Sequence, residues 1–397
     1  MTEAVAIAGP GLMGLGIAQV AARAGLAVRL FGRDLASAQA GHQRLQQSLA
    51  RQVARGRLAA AEADAMLARV QPLAADAALA DCALAIESVP EDRAVKAAVL
   101  AQLERALPSG APIASNTSGL PIDGLADALR DPSRLLGLHF FSPVERMPLV
   151  EVVRGRRTSA VALAAALDLV RRVGQQPVQV ADGPGFFTSR VFAAYLDEAV
   201  AMVGEGVDAA RIDAVGKSLG RALGPLAVMD EVSLALNLQQ ARQAEGDGLP
   251  PEHCRLAARP VLEAMVAAGR SGRRQGGGFF DDDGQGGRRP WPGLAALFPP
   301  AAATLDDEAI AQRLRWSEAL EALRCLGEGV IANAADGDTA SRLGLGFPGG
   351  GVLHWANATG IVEVVRVARQ LAARCGDRFS PPAWLVEQAA LEPGDKR

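Results

Sequence analysis

Residues 4–17 read Ala4-Val5-Ala6-Ile7-Ala8-Gly9-Pro10-Gly11-Leu12-Met13-Gly14-Leu15-Gly16-Ile17. A short apolar run passes through glycines spaced G-x-G-x-x-G into a helical pattern that continues to about Gly25, and a second β-type run follows at 27–30. That context of strand, glycine turn, helix and strand points to a dinucleotide-binding crossover. Gly9 permits the tight turn, Gly11 lets the backbone approach a pyrophosphate, and Gly14 lets helix and strand pack closely. The helix N-terminus then offers its unpaired N–H groups to the anion.

Working outward, further β-type runs fall at 83–88, 112–115, 135–140, 150–153 and 177–180, separated by helical patterns that include a long Ala/Gln/Arg-rich stretch over 34–69 and another over 92–106. Alternation of this kind predicts a doubly wound parallel sheet. After Asp182-Gly183-Pro184-Gly185 the β-type runs give way to 3.6-residue periodicity, and a stretch dense in Gly, Pro, Asp and Arg over 270–300 reads as loop and linker. The fold class expected is an α/β Rossmann-type N-terminal domain (1–182) followed by two all-helical domains (183–290 and 304–397).

The helical parts read as copies. At a constant offset of 123 residues Arg190 matches Arg313, Glu198-Ala199 matches Glu321-Ala322, Gly204-Glu205-Gly206-Val207 matches Gly327-Glu328-Gly329-Val330, Asp213 matches Asp336 and Pro225 matches Pro348. A copy inside one chain can supply the interface that a single domain would seek by dimerising, so monomer and homodimer both fit.

The 397 residues are 49% hydrophobic and 21% charged, ordinary globular values, with a net charge of −3 that gives no field for nucleic acid. Four scattered cysteines with no CxxC and no histidine at metal spacing argue for no disulfide framework and no metal site. No segment reaches the ~18 uncharged apolar residues of a membrane span and no leader is evident, so the reading is soluble and cytoplasmic.

Three constellations carry chemistry. The position after the second strand, where an acidic residue normally holds the adenosine ribose, is Gly32, followed by Arg33 and Asp34. Arg33 could accept a 2′-phosphate, pointing to NADP, or be a solvated turn residue with Asp34 the N-cap of the next helix; both readings stay open. His139 and Glu151 lie symmetrically about a turn containing Pro143 and Pro148, so a reversal there brings both to one height. A buried carboxylate needs a partner and an alcohol dehydrogenation needs a base of near-neutral pKa, so the pair reads as base and orienter. Ser115-Asn116-Thr117-Ser118 closes a strand where open α/β sheets bind ligands, with Ser118 able to bond a substrate oxygen or cap a helix.

Together the Gly9–Gly14 loop, AIESVPEDRAVK from Ala85, SNTSGLPI from Ser115, GLHFFSPVERMPLVEVVRG from Gly137, DGPGFF from Asp182, GPLAVMDEV from Gly224 and GFPGGGVLHWANATG from Gly346 resemble the 3-hydroxyacyl-CoA dehydrogenase family, especially the dehydrogenase part of multifunctional fatty-acid oxidation enzymes. The resemblance implies interconversion of a (3S)-3-hydroxyacyl-CoA and a 3-ketoacyl-CoA with NAD(H). It implies His139 as acid/base, Glu151 as orienter and Ser118 on the substrate oxygen. The cofactor would touch Gly9, Gly11, Leu12, Met13 and Gly14, with Asn116 beside the nicotinamide and Glu91 and Lys96 at the mouth. Two positions depart from the family pattern: Gly32 replaces the usual aspartate, and Ser189 stands where an asparagine follows DGPGFF. Two alternatives stay in view, a dehydrogenase of a non-CoA 3-hydroxy acid, which the same His–Glu chemistry permits, and a nucleotide-binding protein with reduced catalysis, which Ser189 motivates.

Overall fold

A computed structural model describes residues 4–74, 79–249, 254–284, 287–302 and 305–391. The chain divides into two compact units, one of residues 1–187 with 329–344 and one of residues 188–328 with 345–397.

The first unit is built on an eight-stranded sheet: β1 (Ala4–Ala8), β2 (Ala27–Phe31), β3 (Val70–Leu73), β4 (Cys82–Glu87), β5 (Ile113–Ser115), β6 (Leu135–Phe140), β7 (Leu149–Arg154) and β8 (Gln176–Ala181), in the order β3-β2-β1-β4-β5-β6-β7-β8. All pairings are parallel except β6 with β7. The order reverses between β1 and β4, the switch point at which a crevice opens beyond the carboxyl ends of such strands. Helices α1 (Leu12–Arg23), α2 (Leu35–Ala54), α3 (Ala60–Arg69), α4 (Arg93–Ala106), α5 (Ile122–Ala126) and α6 (Ala160–Arg172) complete the crossovers. Fully buried Ile7, Val28, Leu30, Leu138 and Val152 form the core against them.

Two sequence expectations are corrected here. The 34–69 stretch is two helices, because the chain breaks at Arg55-Gly56-Arg57, where Gly56 takes φ +64°. The edge strand β3 was absent from the sequence reading: only four residues long and carrying Pro72, it has no alternating signature. Asp34 does cap α2, its carboxylate accepting the Ser37 N–H at 2.7 Å in a reciprocal capping box.

The second unit is helical: α7 (Thr188–Gly204), α8 (Ala209–Ser218), α9 (Pro225–Val232), α10 (Leu234–Gly246), α11 (Arg259–Ala267), α12 (Leu294–Leu297), α13 (Asp307–Gly327), α15 (Val352–Thr359), α16 (Ile361–Cys375) and α17 (Ala383–Leu391), while α14 (Ala334–Leu345) belongs almost wholly to the first unit. The 270–300 stretch is not only linker. It holds an antiparallel hairpin of β9 (Phe280–Asp282) and β10 (Arg288–Pro290). Buried Asp230 draws it in, its two carboxylate oxygens accepting the N–H groups of Phe279 and Phe280 at 2.7 and 2.9 Å, and burial pushes that carboxyl up to about 6.

Where α7 packs along α13, the 123-residue offset governs the contacts. Arg190 Nε donates to Glu321 at 2.8 Å and its Nη1 to Glu328 at 2.6 Å; Arg313 Nε donates to Glu198 at 2.5 Å and its Nη2 to Glu205 at 2.7 Å. Each arginine thus grips, on the opposite helix, the counterparts of the two glutamates that grip the other. Side chains around this lattice differ: Arg255 pairs with Asp197 at 2.9 Å, whereas Arg378, 123 positions later, pairs with Glu198 at 2.6 Å.

Breaking either buried pair should be costly, since it leaves desolvated carboxylates. Arg190→Met and Arg313→Met are each expected to lose about 3 kcal/mol in chemical denaturation, and losses differing by more than about 1.5 kcal/mol would contradict the equivalence of the two.

Candidate active site

The site is assembled at the carboxyl ends of β1, β4, β5 and β6. After β1, Gly9 turns the chain at φ +112°, and a Cβ there would lie 2.3 Å from the Ser88 carbonyl oxygen. A Cβ on Gly14 would sit 1.9 Å from the Gly9 carbonyl oxygen, so that residue must be glycine for α1 to pack on the loop. A Cβ on Gly11 would meet nothing within 4 Å. The protein's own packing therefore does not demand Gly11; the space before it faces a cavity. Gly11 is the N-cap of α1, provides no side-chain cap, and no acidic residue occupies the first turn. The leading N–H groups and the positive end of the helix dipole are left for an anion, so the loop fits a dinucleotide pyrophosphate.

The cavity encloses about 1090 Å³ and is lined by Gly9, Pro10, Gly11, Leu12 and Met13 on the loop side. Gly32, Arg33 and Ser37 line it at the end of β2; Ser88 and Glu91 follow β4, Asn116 and Ser118 follow β5, and His139 with Phe141 come from the end of β6. The cofactor and catalytic candidates from the first unit converge here except Gly14, Lys96 and Glu151, which do not line the cavity. Ser189, the second residue of α7, belongs to the other unit.

Lys96 requires correction. It is 1% exposed and does not reach the mouth; its Nζ donates to Glu87 at 2.9 Å and lies 3.2 Å from Glu91. Glu87, fully buried, also accepts the Val89 N–H at 2.6 Å and the Ser115 hydroxyl at 2.5 Å. Sequence reasoning missed this carboxylate, although a glutamate closing the apolar run Ala83-Leu84-Ala85-Ile86 is as anomalous as Glu151. Lys96 thus neutralises the buried Glu87 and tethers Glu91, which in turn accepts the Thr117 hydroxyl at 2.5 Å and the Ser118 N–H at 3.1 Å. Ser118 does not cap α5, whose N-cap is Pro121; the helix's first N–H groups, from Ile122 and Asp123, donate to Asp182 at 2.8 Å each. Burial raises the Asp182 carboxyl above its usual range.

The antiparallel pairing of β6 with β7 sets His139 directly opposite Glu151. Nδ1 of His139 lies 2.7 Å from Oε2 of Glu151, and the Phe187 N–H donates to Oε1 at 3.2 Å. Glu151 is wholly buried and His139 is 8% exposed. The imidazole rests between Phe141, with ring centroids 4.5 Å apart, and Phe186 at 6.0 Å. The DGPGFF segment therefore does more than turn the chain: with Phe186 held at φ +51°, it aims a main-chain donor at the glutamate. Asn116 accepts the N–H of Phe140 at 2.9 Å through its side-chain oxygen, and its amide donates to the Ser88 hydroxyl at 3.2 Å. It fixes the strand end from which His139 projects.

A dinucleotide-type cavity bordered by a histidine backed by a buried glutamate defines an oxidoreductase-type architecture. The chain belongs to the 3-hydroxyacyl-CoA dehydrogenase family. Its residues 4–183 match the model of the family's NAD binding domain, and residues 185–282 match that of its C-terminal domain. A structure of 3-hydroxybutyryl-CoA dehydrogenase from Escherichia coli K12 superposes with a TM-score of 0.83 at 26% identity, covering 99% of both chains. One of (S)-3-hydroxybutyryl-CoA dehydrogenase from Ralstonia eutropha is 33% identical with a TM-score of 0.65, covering 70% of this chain and 98% of that one. The fatty acid oxidation complex subunit alpha of Pseudomonas putida is 33% identical over 395 residues, 97% of this chain and 54% of the relative, so the chain spans about half the length of that curated relative.

The glycine geometry gives a stability test. Gly11→Ala should change unfolding free energy by less than about 1 kcal/mol, whereas Gly14→Ala should cost at least about 3 kcal/mol. Equal effects in a denaturant titration would show that Gly11 is held by packing after all.

Proposed function

We propose that the chain interconverts a (3S)-3-hydroxyacyl-CoA and a 3-ketoacyl-CoA with NAD(H) or NADP(H), and that the observation carrying this reading is the 2.7 Å His139–Glu151 contact at the rim of the dinucleotide cavity. A bound nicotinamide supplies the hydride exchange. His139 handles the proton: with Nδ1 committed to Glu151, Nε2 is left to take the substrate hydroxyl proton and to return it in the reverse direction. Glu151 selects the tautomer protonated on Nδ1 and stabilises the imidazolium formed when Nε2 is protonated. Its second oxygen, bonded to the Phe187 N–H, keeps the carboxylate from rotating away. Phe141 and Phe186 keep water from the imidazole.

The glycine loop with Leu12 and Met13 would hold the pyrophosphate, Asn116 the nicotinamide end and Ser118 the substrate oxygen. Glu91 would border the mouth, with Lys96 acting behind it. Ser189 is assigned to the substrate as the shorter counterpart of the asparagine implied by the resemblance. The domains are assigned as 1–182 for the dinucleotide, 183–290 for the first helical domain and 304–397 for its repeat. The reciprocal Arg190 and Arg313 contacts support that duplication and suit a monomer. No helix among the described residues is long and apolar enough to cross a membrane.

Purified protein given acetoacetyl-CoA should oxidise NADH or NADPH, read as loss of nicotinamide absorbance; no oxidation of either would refute the reaction class. His139→Ala should lower kcat by at least about 100-fold while leaving nucleotide affinity within about twofold. A parallel loss of both would remove His139 from the proton step. Ser189→Asn is expected to preserve or raise kcat, and a large drop in a steady-state assay would show that the serine serves a different substrate.

A further inference from the structure

The adenosine end of the cavity differs from the form that selects NAD. That form places a carboxylate at the end of the second strand to accept both ribose hydroxyls, which also repels a 2′-phosphate. Here Gly32 holds the position, and the carboxylate's space is already taken: a Cβ on Gly32 would lie 2.3 Å from the Ser37 hydroxyl and 3.2 Å from the Pro10 ring. The Ser37 hydroxyl is fixed there by its bond to the Asp34 carbonyl at 2.8 Å. The nearby carboxylate, Asp34, is turned to another task. It accepts the Ser37 N–H at 2.7 Å as the cap of α2, and it is not among the residues facing the cavity.

What faces the cavity at this end is Arg33, with its side chain 90% exposed, beside the Ser37 hydroxyl. Among the described residues its one ion pair is a loose contact with Asp34, Nε to Oδ2 at 3.4 Å, which leaves most of the guanidinium's five donors for another anion. A second guanidinium stands close by: Arg44 Nη2 donates to the carbonyl of Pro10, the residue whose ring abuts Gly32, at 2.8 Å. A planar guanidinium, with no carboxylate facing the cavity at this end, is complementary to a phosphate monoester and lacks the acceptor that two ribose hydroxyls would use.

We propose that this site is specific for the 2′-phosphorylated dinucleotide, NADP(H), with Arg33 as the residue that reads the 2′-phosphate. This rests on the reading of the cavity as a nicotinamide dinucleotide site. It sets the chain apart from the NAD binding named for its matched N-terminal domain.

The test isolates the 2′-phosphate from hydride chemistry. Isothermal titration of the full chain with 2′,5′-ADP and with 5′-ADP should show 2′,5′-ADP binding at least about tenfold tighter at low salt, with the advantage shrinking as ionic strength rises. Arg33→Ala, which alters an exposed side chain and leaves the fold intact, should reduce the advantage to about twofold or less. Equal or tighter binding of 5′-ADP would overturn the proposal while leaving the dinucleotide reading standing. Binding of neither would remove the dinucleotide reading and the proposal with it, and an advantage that survives Arg33→Ala would take the 2′-phosphate contact away from Arg33.

Discussion

A carboxylate with no exposure to water, Glu151, sets constraints that run through the first unit. A buried ionised carboxyl is tolerable only where hydrogen-bond donors replace its hydration. Among those donors are an imidazole on the neighbouring strand and the main-chain N–H of Phe187. The first requires β6 and β7 to run antiparallel in an otherwise parallel sheet and in one register, since a slip of one residue would turn His139 to the other face. The second requires the chain leaving β8 to double back, at the expense of a positive φ at Phe186. Strand direction, register and a strained turn all answer to one buried charge.

A second buried carboxylate repeats the solution a few strands away. Glu87 is held by Lys96, by the Val89 N–H and by the Ser115 hydroxyl, and Lys96 passes the connection on to Glu91 and the loop after β5. The rim of the cavity is thereby tied together from below by side chains that never face it. Precise placement of groups at a rim generally needs such support, because a side chain held only by its own rotamer is too loose for chemistry.

Much of this was legible in the sequence because the signals were local. The glycine loop is decided by neighbouring residues, and the opposition of His139 to Glu151 follows from their symmetric placement about a turn that contains Pro143 and Pro148. The cap at Asp34 was readable for the same reason. What could not be read depends on distant parts of the chain. β3 exists because β2 offers it an edge, and the hairpin at 280–290 docks because Asp230, some fifty positions earlier, needs the N–H groups of Phe279 and Phe280. The burial of Lys96 was hidden because its partner Glu87 ends a strand that by itself looks uniformly apolar. The divided helix at Gly56 was missed because alanine-rich periodicity masks a single break.

The reciprocal arginine–glutamate lattice between α7 and α13 bears on how this protein can change. In an association of two identical chains, every substitution appears on both sides of the axis at once, so a residue can improve one contact only by altering its mirror image. Joined in a single chain, the two sides mutate separately. On the duplication proposed above, the different partners of Arg255 and Arg378 fit that freedom: set 123 positions apart, one holds Asp197 and the other Glu198. One half can keep its contacts while the other drifts, provided the four glutamates facing Arg190 and Arg313 stay in place.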